Sequence, residues 1–182
     1  MRHFYSIVTV DIPREAVSRA AQFAKQVCGT TNYSDSNQHV LSKIQDDHFI
    51  SKLGEEAVRI ILEPMGNVQG PDYSIYSSKE KSWDDDLYFN GNGIAVKTQR
   101  QTMAHRYGLS WTFQCGKNRR DKILDNPNAW VVFVLYDDTN PWQCKVYPPF
   151  QIKELTFGKP RLAKLTEHKA VVYAEKLPNP MG

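Results

Sequence analysis

The chain has 182 residues, of which 41% are hydrophobic and 24% are charged, and its net charge is +3. This length suits one domain, and the composition is that of a globular protein rather than a disordered or fibrous one. No stretch approaches the roughly 18 apolar residues of a membrane span, so we expect no membrane partner. Three widely spaced cysteines argue against a disulfide framework and a zinc site, and the N-terminus has no apolar leader. We therefore expect a cytoplasmic protein.

The hydrophobic pattern predicts helices early in the chain. A strand or ordered arm at residues 4–10 comes first, and a helix follows Pro13 and ends at Gly29. A polar loop at 30–39 separates it from two further helices, at about 40–47 and 50–63. The next segments are predicted as strands, apart from short helical pieces at 102–107 and 160–167, and these strands cover residues 73–76, 83–89, 94–99, 110–114, 130–136, 144–147 and 168–174.

This order of elements predicts one α/β domain with a central mixed sheet flanked by helices. We divide residues 1–182 into an N-terminal helical part (1–49), a core (50–136) and a C-terminal extension (137–182).

The distribution of charge distinguishes the core from the rest of the chain. Acidic residues before position 87 are followed, between 97 and 122, by seven Lys and Arg and one Asp. Acidic residues followed by basic ones are what a metal site next to a row of phosphate-binding residues needs. A solvated surface with unevenly distributed charge explains the same order equally well.

Residues 83–99 form the clearest hairpin of the chain, with a turn at Asn90-Gly91-Asn92-Gly93. With a turn of two or four residues, Asp86, Lys97 and Gln99 share one face and apolar side chains share the other. A four-residue turn places Asp86 directly across from Lys97, with Cβ atoms about 5 Å apart. Such a pair can hold a divalent ion and act on a phosphate, or it can be an ordinary cross-strand salt bridge.

These features resemble the PD-(D/E)XK, or restriction-endonuclease-like, nuclease superfamily. The residues that carry the resemblance lie between about 50 and 136 and are Glu55-Glu56 on a helix, Pro71-Asp72, Asp84-Asp85-Asp86, a glycine-rich turn and the strand that ends in Lys97-Thr98-Gln99. The superfamily places an acid at the end of one strand and an acid-X-Lys on the next, often with a Glu from a preceding helix. The resemblance therefore implies a restriction-endonuclease-like core.

The resemblance also implies the roles of individual residues. Asp86, Lys97, Asp72 and Glu56 are the expected catalytic residues, and the three acids among them are the expected ligands of Mg²⁺, which Mn²⁺ can replace. Glu55 competes with Glu56 for the helix position, and Asp84 and Asp85 stay open as further ligands. The sequence departs from the motif two residues before Lys97, where Ala95 stands in place of an acid. Either Gln99, Asp72 or a helix Glu fills this place, or the site is weakened.

DNA is the partner that the resemblance implies, with the chain acting as a metal-dependent deoxyribonuclease of endonuclease type. The residues expected to contact DNA are Gln99, Arg100, Arg106, Lys117, Arg119 and Arg120. His105 is expected to face solvent. A non-catalytic nucleic-acid-binding module on the same fold is the alternative, and Ala95 favours it. A structural domain in which Lys97 forms only salt bridges is a third reading, and a homodimer would be needed to cut both strands at one place.

Overall fold

The computed structural model describes residues 2–28, 40–76, 85–117, 120–140 and 142–181. None of the helices in these ranges is both long and apolar enough to cross a membrane. The helices and strands are α1 (Arg14–Val27), α2 (Leu41–Leu62), α3 (Gln101–Tyr107), β1 (Val8–Asp11), β2 (Val68–Gln69), β3 (Leu87–Phe89), β4 (Asn92–Arg100), β5 (Ser110–Gln114), β6 (Trp130–Asp137), β7 (Gln143–Val146), β8 (Phe150–Gln151) and β9 (Lys169–Tyr173).

The main sheet has the strand order β1-β7-β6-β4-β3-β2, and β8 pairs with the start of β6. Strands β4 and β6 run parallel, whereas every other neighbouring pair in this sheet is antiparallel. The chain is thus a mixed α/β protein whose central mixed sheet is flanked by helices, as the sequence predicted. Its strands come from all three parts of the chain, because β1 precedes residue 49 and β7 and β8 follow residue 137.

Two hydrophobic clusters cover the two faces of this sheet. Leu53 and Ala57 of α2 pack with Val96 of β4 on one face. On the other face Trp111 and Phe113 of β5 pack with side chains of β6. Strand β6 is therefore apolar from Trp130 to Leu135, because both of its sides are buried, as is typical of a central parallel strand.

The smaller sheet, β5 with β9, is attached to the main sheet through Trp111. The indole of Trp111 stacks on Phe133 of β6 with ring centroids 4.5 Å apart, and its Nε1–H donates to the carbonyl of Val134 at 2.9 Å. This bond satisfies the polar atom of a fully buried ring. It also fixes where β5 crosses the strands that carry the candidate site.

Four predicted elements differ from the structure. The helices at 40–47 and 50–63 are one helix, α2, because Asp47-His48-Phe49 contains no residue that breaks a helix. The strand predicted at 73–76 is wrong, since these residues form no ladder and only β2 precedes β3 at that edge. The helical segment at 160–167 is reduced to the 3-10 turn Ala163–Leu165. The predicted loop at 30–39 lies outside the described residues.

Gly54 sets the distance between α2 and β4. A Cβ at this position would overlap Thr98 Oγ1 and would lie 3.1 Å from Thr98 Cβ. Only a residue without a side chain lets the helix come this close to the strand. The neighbouring residues of α2 are therefore brought down onto the sheet.

Replacing Gly54 with Ala is expected to destabilise the fold by about 2 kcal/mol, because overpacking against Thr98 outweighs the better helix propensity of Ala. Urea denaturation measures the difference in the free energy of unfolding. Gln45→Ala, on the exposed side of the same helix, is the matched control and should cost nothing. A Gly54→Ala protein more stable than the wild type would contradict the close contact.

Candidate active site

The register of the β3–β4 hairpin decides what Asp86 faces. Leu87 pairs with Ile94 and Phe89 with Asn92, so the turn contains only Asn90 and Gly91. Both of these residues have positive φ angles, 48° and 79°, as a tight hairpin turn requires.

The predicted apolar face of the hairpin is confirmed, since Leu87 and Val96 lie in the cluster under α2. The opposite face is only partly polar, because Ala95 packs in the second cluster with Trp111 and Phe113 of β5. The four-residue turn is wrong, because Asn-Gly closes the tighter two-residue turn. Extending the observed register places Asp86 opposite Ala95, with Lys97 two residues further along the same strand.

Asp86 lies where β3 stops pairing with β4. Its Oδ2 accepts the backbone N–H of Val96 at 2.7 Å. If β3 continued to pair with β4, a backbone carbonyl would accept this N–H instead. Burial raises the pKa of the Asp86 carboxyl, while the hydrogen bond from Val96 and the charges of Lys97 and Lys52 act in the opposite direction. The side chain is thus a half-buried carboxyl that bonds to the neighbouring strand, and the charges of two lysines act on it.

Lys97 extends from β4 on the side away from α2. Its Nζ lies 2.8 Å from Asp121 Oδ2 and 5.1 Å from the ring centroid of Phe113. The same oxygen of Asp121 accepts the backbone N–H of Gln114 at 3.2 Å. Asp121 also acts on Asp86, whose pKa its negative charge raises. The lysine therefore stands between the two aspartates and forms its ion pair with Asp121.

Sequence reasoning missed Asp121. Its only signal was that it is the single acid in the basic stretch between residues 97 and 122. The 24 positions that separate it from Lys97 hide the pairing until β5 is placed against β4.

Glu55 is the helix acid beside Asp86. Its side chain is almost fully buried, and Lys52 Nζ lies 2.6 Å from its Oε2. Burial raises the pKa of Glu55 to about 8, and the negative charge of Asp86 adds to this rise. Gly70, in the segment after α2, also lies against Asp86, because a Cβ there would be 2.9 Å from the Asp86 carbonyl oxygen.

Glu56 faces different neighbours. Its Oε1 accepts from Arg19 at 2.9 Å and from the Tyr73 hydroxyl at 2.8 Å, and its Oε2 accepts from Arg59 at 2.8 Å. Burial alone would raise the pKa of Glu56, but these hydrogen bonds outweigh it and lower that pKa. The structure thus engages both oxygens of Glu56 in a network that joins α1 to α2, whereas Glu55 acts on Asp86.

Asp72 follows Gly70-Pro71 and lies near the same lysine as Glu55. Its carboxylate accepts the Ser74 backbone N–H at 2.9 Å and the Tyr76 hydroxyl. Partial burial would raise the pKa of Asp72, but the hydrogen bonds from Tyr76 and Ser74 and the charge of Lys52 lower it. The pKa of Asp72 is therefore lowered, whereas burial raises that of Glu55.

Several residues predicted to contact DNA already have protein contacts. Arg100 pairs with Asp46 at 2.8 Å, and Arg120 pairs with Asp125 at 2.9 Å. The other described members of the set are Gln99, which accepts the Ser110 backbone N–H at 3.0 Å, Arg106, whose guanidinium packs on Tyr107, and Lys117, which follows β5. Arg119 lies outside the described residues. His105 is exposed on α3, as expected.

Within the described ranges, no group of three or more His, Cys, Asp and Glu side chains is arranged to hold a metal ion. Glu55 is nevertheless a buried carboxyl group and Asp86 a half-buried one, and the charge of Asp86 raises the pKa of Glu55. A cation relieves such repulsion, and Mg²⁺ commonly takes one or two carboxylates and completes its shell with water. This pair therefore suits a divalent ion.

Comparison with known proteins identifies no relative of this chain. No family model, no curated protein and no solved structure matches it. Any functional assignment must therefore rest on the residues of the site.

The titration of Glu55 leads to a prediction about stability. Its pKa of about 8 in the folded chain exceeds the ordinary value of 4.5, so between these two values the folded state binds more protons than the unfolded state. The free energy of unfolding should therefore lose a contribution as the pH rises through this interval. Glu55→Gln removes the titrating group, and its stability should fall less steeply over the same range.

Denaturant titrations at intervals between about pH 5 and about pH 8 measure this slope. Glu15→Gln, exposed in the first turn of α1, serves as the control and should keep the wild-type slope. Equal slopes for Glu55→Gln and the wild type would show that Glu55 titrates normally.

Proposed function

We propose that this chain is a metal-dependent deoxyribonuclease that hydrolyses phosphodiester bonds within DNA. The observation that carries the proposal is the position of Asp86, a half-buried carboxyl before the start of β3 on whose surroundings both Lys97 and Glu55 act. An acid at a strand end, a lysine on the next strand and a glutamate from the preceding helix are what the resemblance to PD-(D/E)XK nucleases implies. The central mixed sheet flanked by helices supports a restriction-endonuclease-like core.

In this proposal Asp86 and Glu55 hold Mg²⁺, or Mn²⁺ in its place, and Asp72 faces the site from the segment after Gly70. The bound ion would polarise the phosphate and lower the pKa of a water molecule. Glu56, the first choice from the sequence, instead stabilises the helix that presents Glu55, through its contacts with the two arginines and Tyr73.

Lys97 contributes positive charge to the phosphate oxygens as negative charge builds up on them. Its ion pair with Asp121 and the ring of Phe113 hold the ammonium in one place. Asp121 also supplies a carboxylate near Lys97, where Ala95 provides none. The acid missing from the strand is thus replaced from the segment that follows β5.

The basic residues around the site would bind the phosphates of the substrate. Arg100 and Arg120 would exchange their aspartate partners for phosphate, and Arg106 and Lys117 would bind further phosphates. Arg119, which lies outside the described residues, stays a contact predicted from the sequence. Each phosphate contact releases counterions, so binding should weaken steeply as salt increases. Cutting both strands of a duplex at one place would require a second copy of the chain.

A non-catalytic nucleic-acid-binding module is the second candidate. Ala95 favours it, as does the lack of a three-carboxylate group within the described ranges. Such a module would keep the salt-dependent binding of DNA but would cleave nothing in Mg²⁺ or Mn²⁺. The two candidates therefore differ in a single measurement.

That measurement is cleavage of supercoiled and linear duplex DNA in Mg²⁺ or Mn²⁺. The wild type should nick the DNA, and Asp86→Asn and Lys97→Met should each lower the rate by about 100-fold or more, because each removes charge that acts on the reacting phosphate. The matched controls are Asp11→Asn on β1 and Lys145→Met on β7, both on exposed side chains of the same sheet.

Cleavage that survives both Asp86→Asn and Lys97→Met would show that the activity comes from elsewhere. DNA binding by the wild type without cleavage in either metal would favour the binding module. Loss of activity in the controls as well would point to damage to the fold rather than to the site.

A further inference from the structure

Lys52 is a buried lysine for which the proposed mechanism has no use. It lies on α2 one turn before Glu55, and only 12% of its side chain is exposed. Its Nζ is 2.6 Å from Glu55 Oε2, 5.0 Å from the ring centroid of Phe23 and 5.5 Å from that of Tyr73. The ammonium is therefore held by one carboxylate and by the faces of two aromatic rings, both of which attract cations.

The same ammonium acts on every carboxyl group that the proposed function assigns to the metal. It is hydrogen-bonded to Glu55, and its charge lowers the pKa of Glu55, Asp86 and Asp72. These three groups come from α2, from the end of β3 and from the segment after Gly70. The charge of Lys52 thus acts on carboxyl groups from three separate segments, and it is in direct contact with Glu55.

We propose that Lys52 is an internal counter-ion, which holds the place of a cation at Glu55 and which a divalent metal ion must displace. This inference rests on the proposed function, because it assumes that these carboxylates bind metal. Without a cation, the carboxylates of Glu55 and Asp86 repel each other, and the lysine relieves that repulsion. With a cation bound, the ammonium and the ion repel each other, so Lys52 lowers the affinity for metal.

The aromatic rings of Phe23 and Tyr73 give the displaced ammonium a second position. A lysine has a flexible four-carbon stem, so it can leave Glu55 and stay over a ring face without unfolding of the helix. Metal binding would then be weak in the free protein. Phosphates of a bound substrate would strengthen it, because they add negative charge to the same place.

Binding of Mn²⁺ to the full chain, measured by calorimetry without DNA at about pH 8.5, tests the inference. Removing the competing charge in Lys52→Met should tighten Mn²⁺ binding about tenfold or more relative to the wild type. Lys52→Arg, which keeps the charge, should bind like the wild type. Lys43→Met, on an exposed position of the same helix, is the matched control and should change nothing. Adding Asp86→Asn to Lys52→Met should abolish the gain and so locate the ion.

Equal or weaker Mn²⁺ binding by a folded Lys52→Met protein would overturn the inference, as would a lack of binding in every variant. If Lys52→Met does not fold, Lys52→Gln takes its place, because its amide can still donate to Glu55. Tighter binding by the Lys52 variant with no cleavage of DNA would retain the inference and reject the nuclease. Cleavage of DNA by the wild type, with no tighter Mn²⁺ binding by the Lys52 variant, would support the nuclease and reject the inference about Lys52.

Discussion

The contact between Gly54 of α2 and Thr98 of β4 is the constraint on which the site depends. Thr98 Oγ1 is buried against the helix and, within the described part of the chain, has no hydrogen-bond partner. Leaving such an atom unpaired costs about 1–3 kcal/mol, which the apolar contacts of α2 on both sides of Gly54 must offset. Because α2 lies so close to β4 at Gly54, Glu55 is near the end of β3. A larger residue at position 54 would lift Lys52 and Glu55 away from Asp86 together.

Glu55 and Glu56 show how strongly this placement determines chemistry. The two acids are adjacent in sequence and both almost fully buried, yet the pKa of Glu55 is raised and that of Glu56 is lowered. Successive helical residues point about 100° apart, so Glu55 meets Lys52 and the charge of Asp86, whereas Glu56 meets two arginines and a tyrosine. Burial outweighs the single lysine at Glu55, and the three donors outweigh burial at Glu56.

Features set by local pattern were predictable from the sequence, and features set by long-range packing were not. Alternation along β4 and the apolar run of β6 identified the two faces of the sheet, because each depends only on neighbouring residues. The choice between Glu55 and Glu56 depends on how α2 is rotated against β4, and the pairing of Lys97 with Asp121 depends on where β5 crosses it. The strand predicted at 73–76 failed for the same reason, since the Tyr73 hydroxyl binds Glu56 across the fold.

The site contains more acidic than basic side chains, and this imbalance of charge needs a physical reason. Glu55, Asp72, Asp86 and Asp121 face only two lysines, Lys52 and Lys97, and Glu55 is held at a pKa of about 8. Buried ion pairs add little to stability compared with apolar residues of similar size, and an excess of buried acid subtracts from it. Packing alone therefore gives no reason to place these groups together. Under the proposed function, a metal ion would offset the negative charge of the acids and a phosphate would offset the positive charge of the lysines.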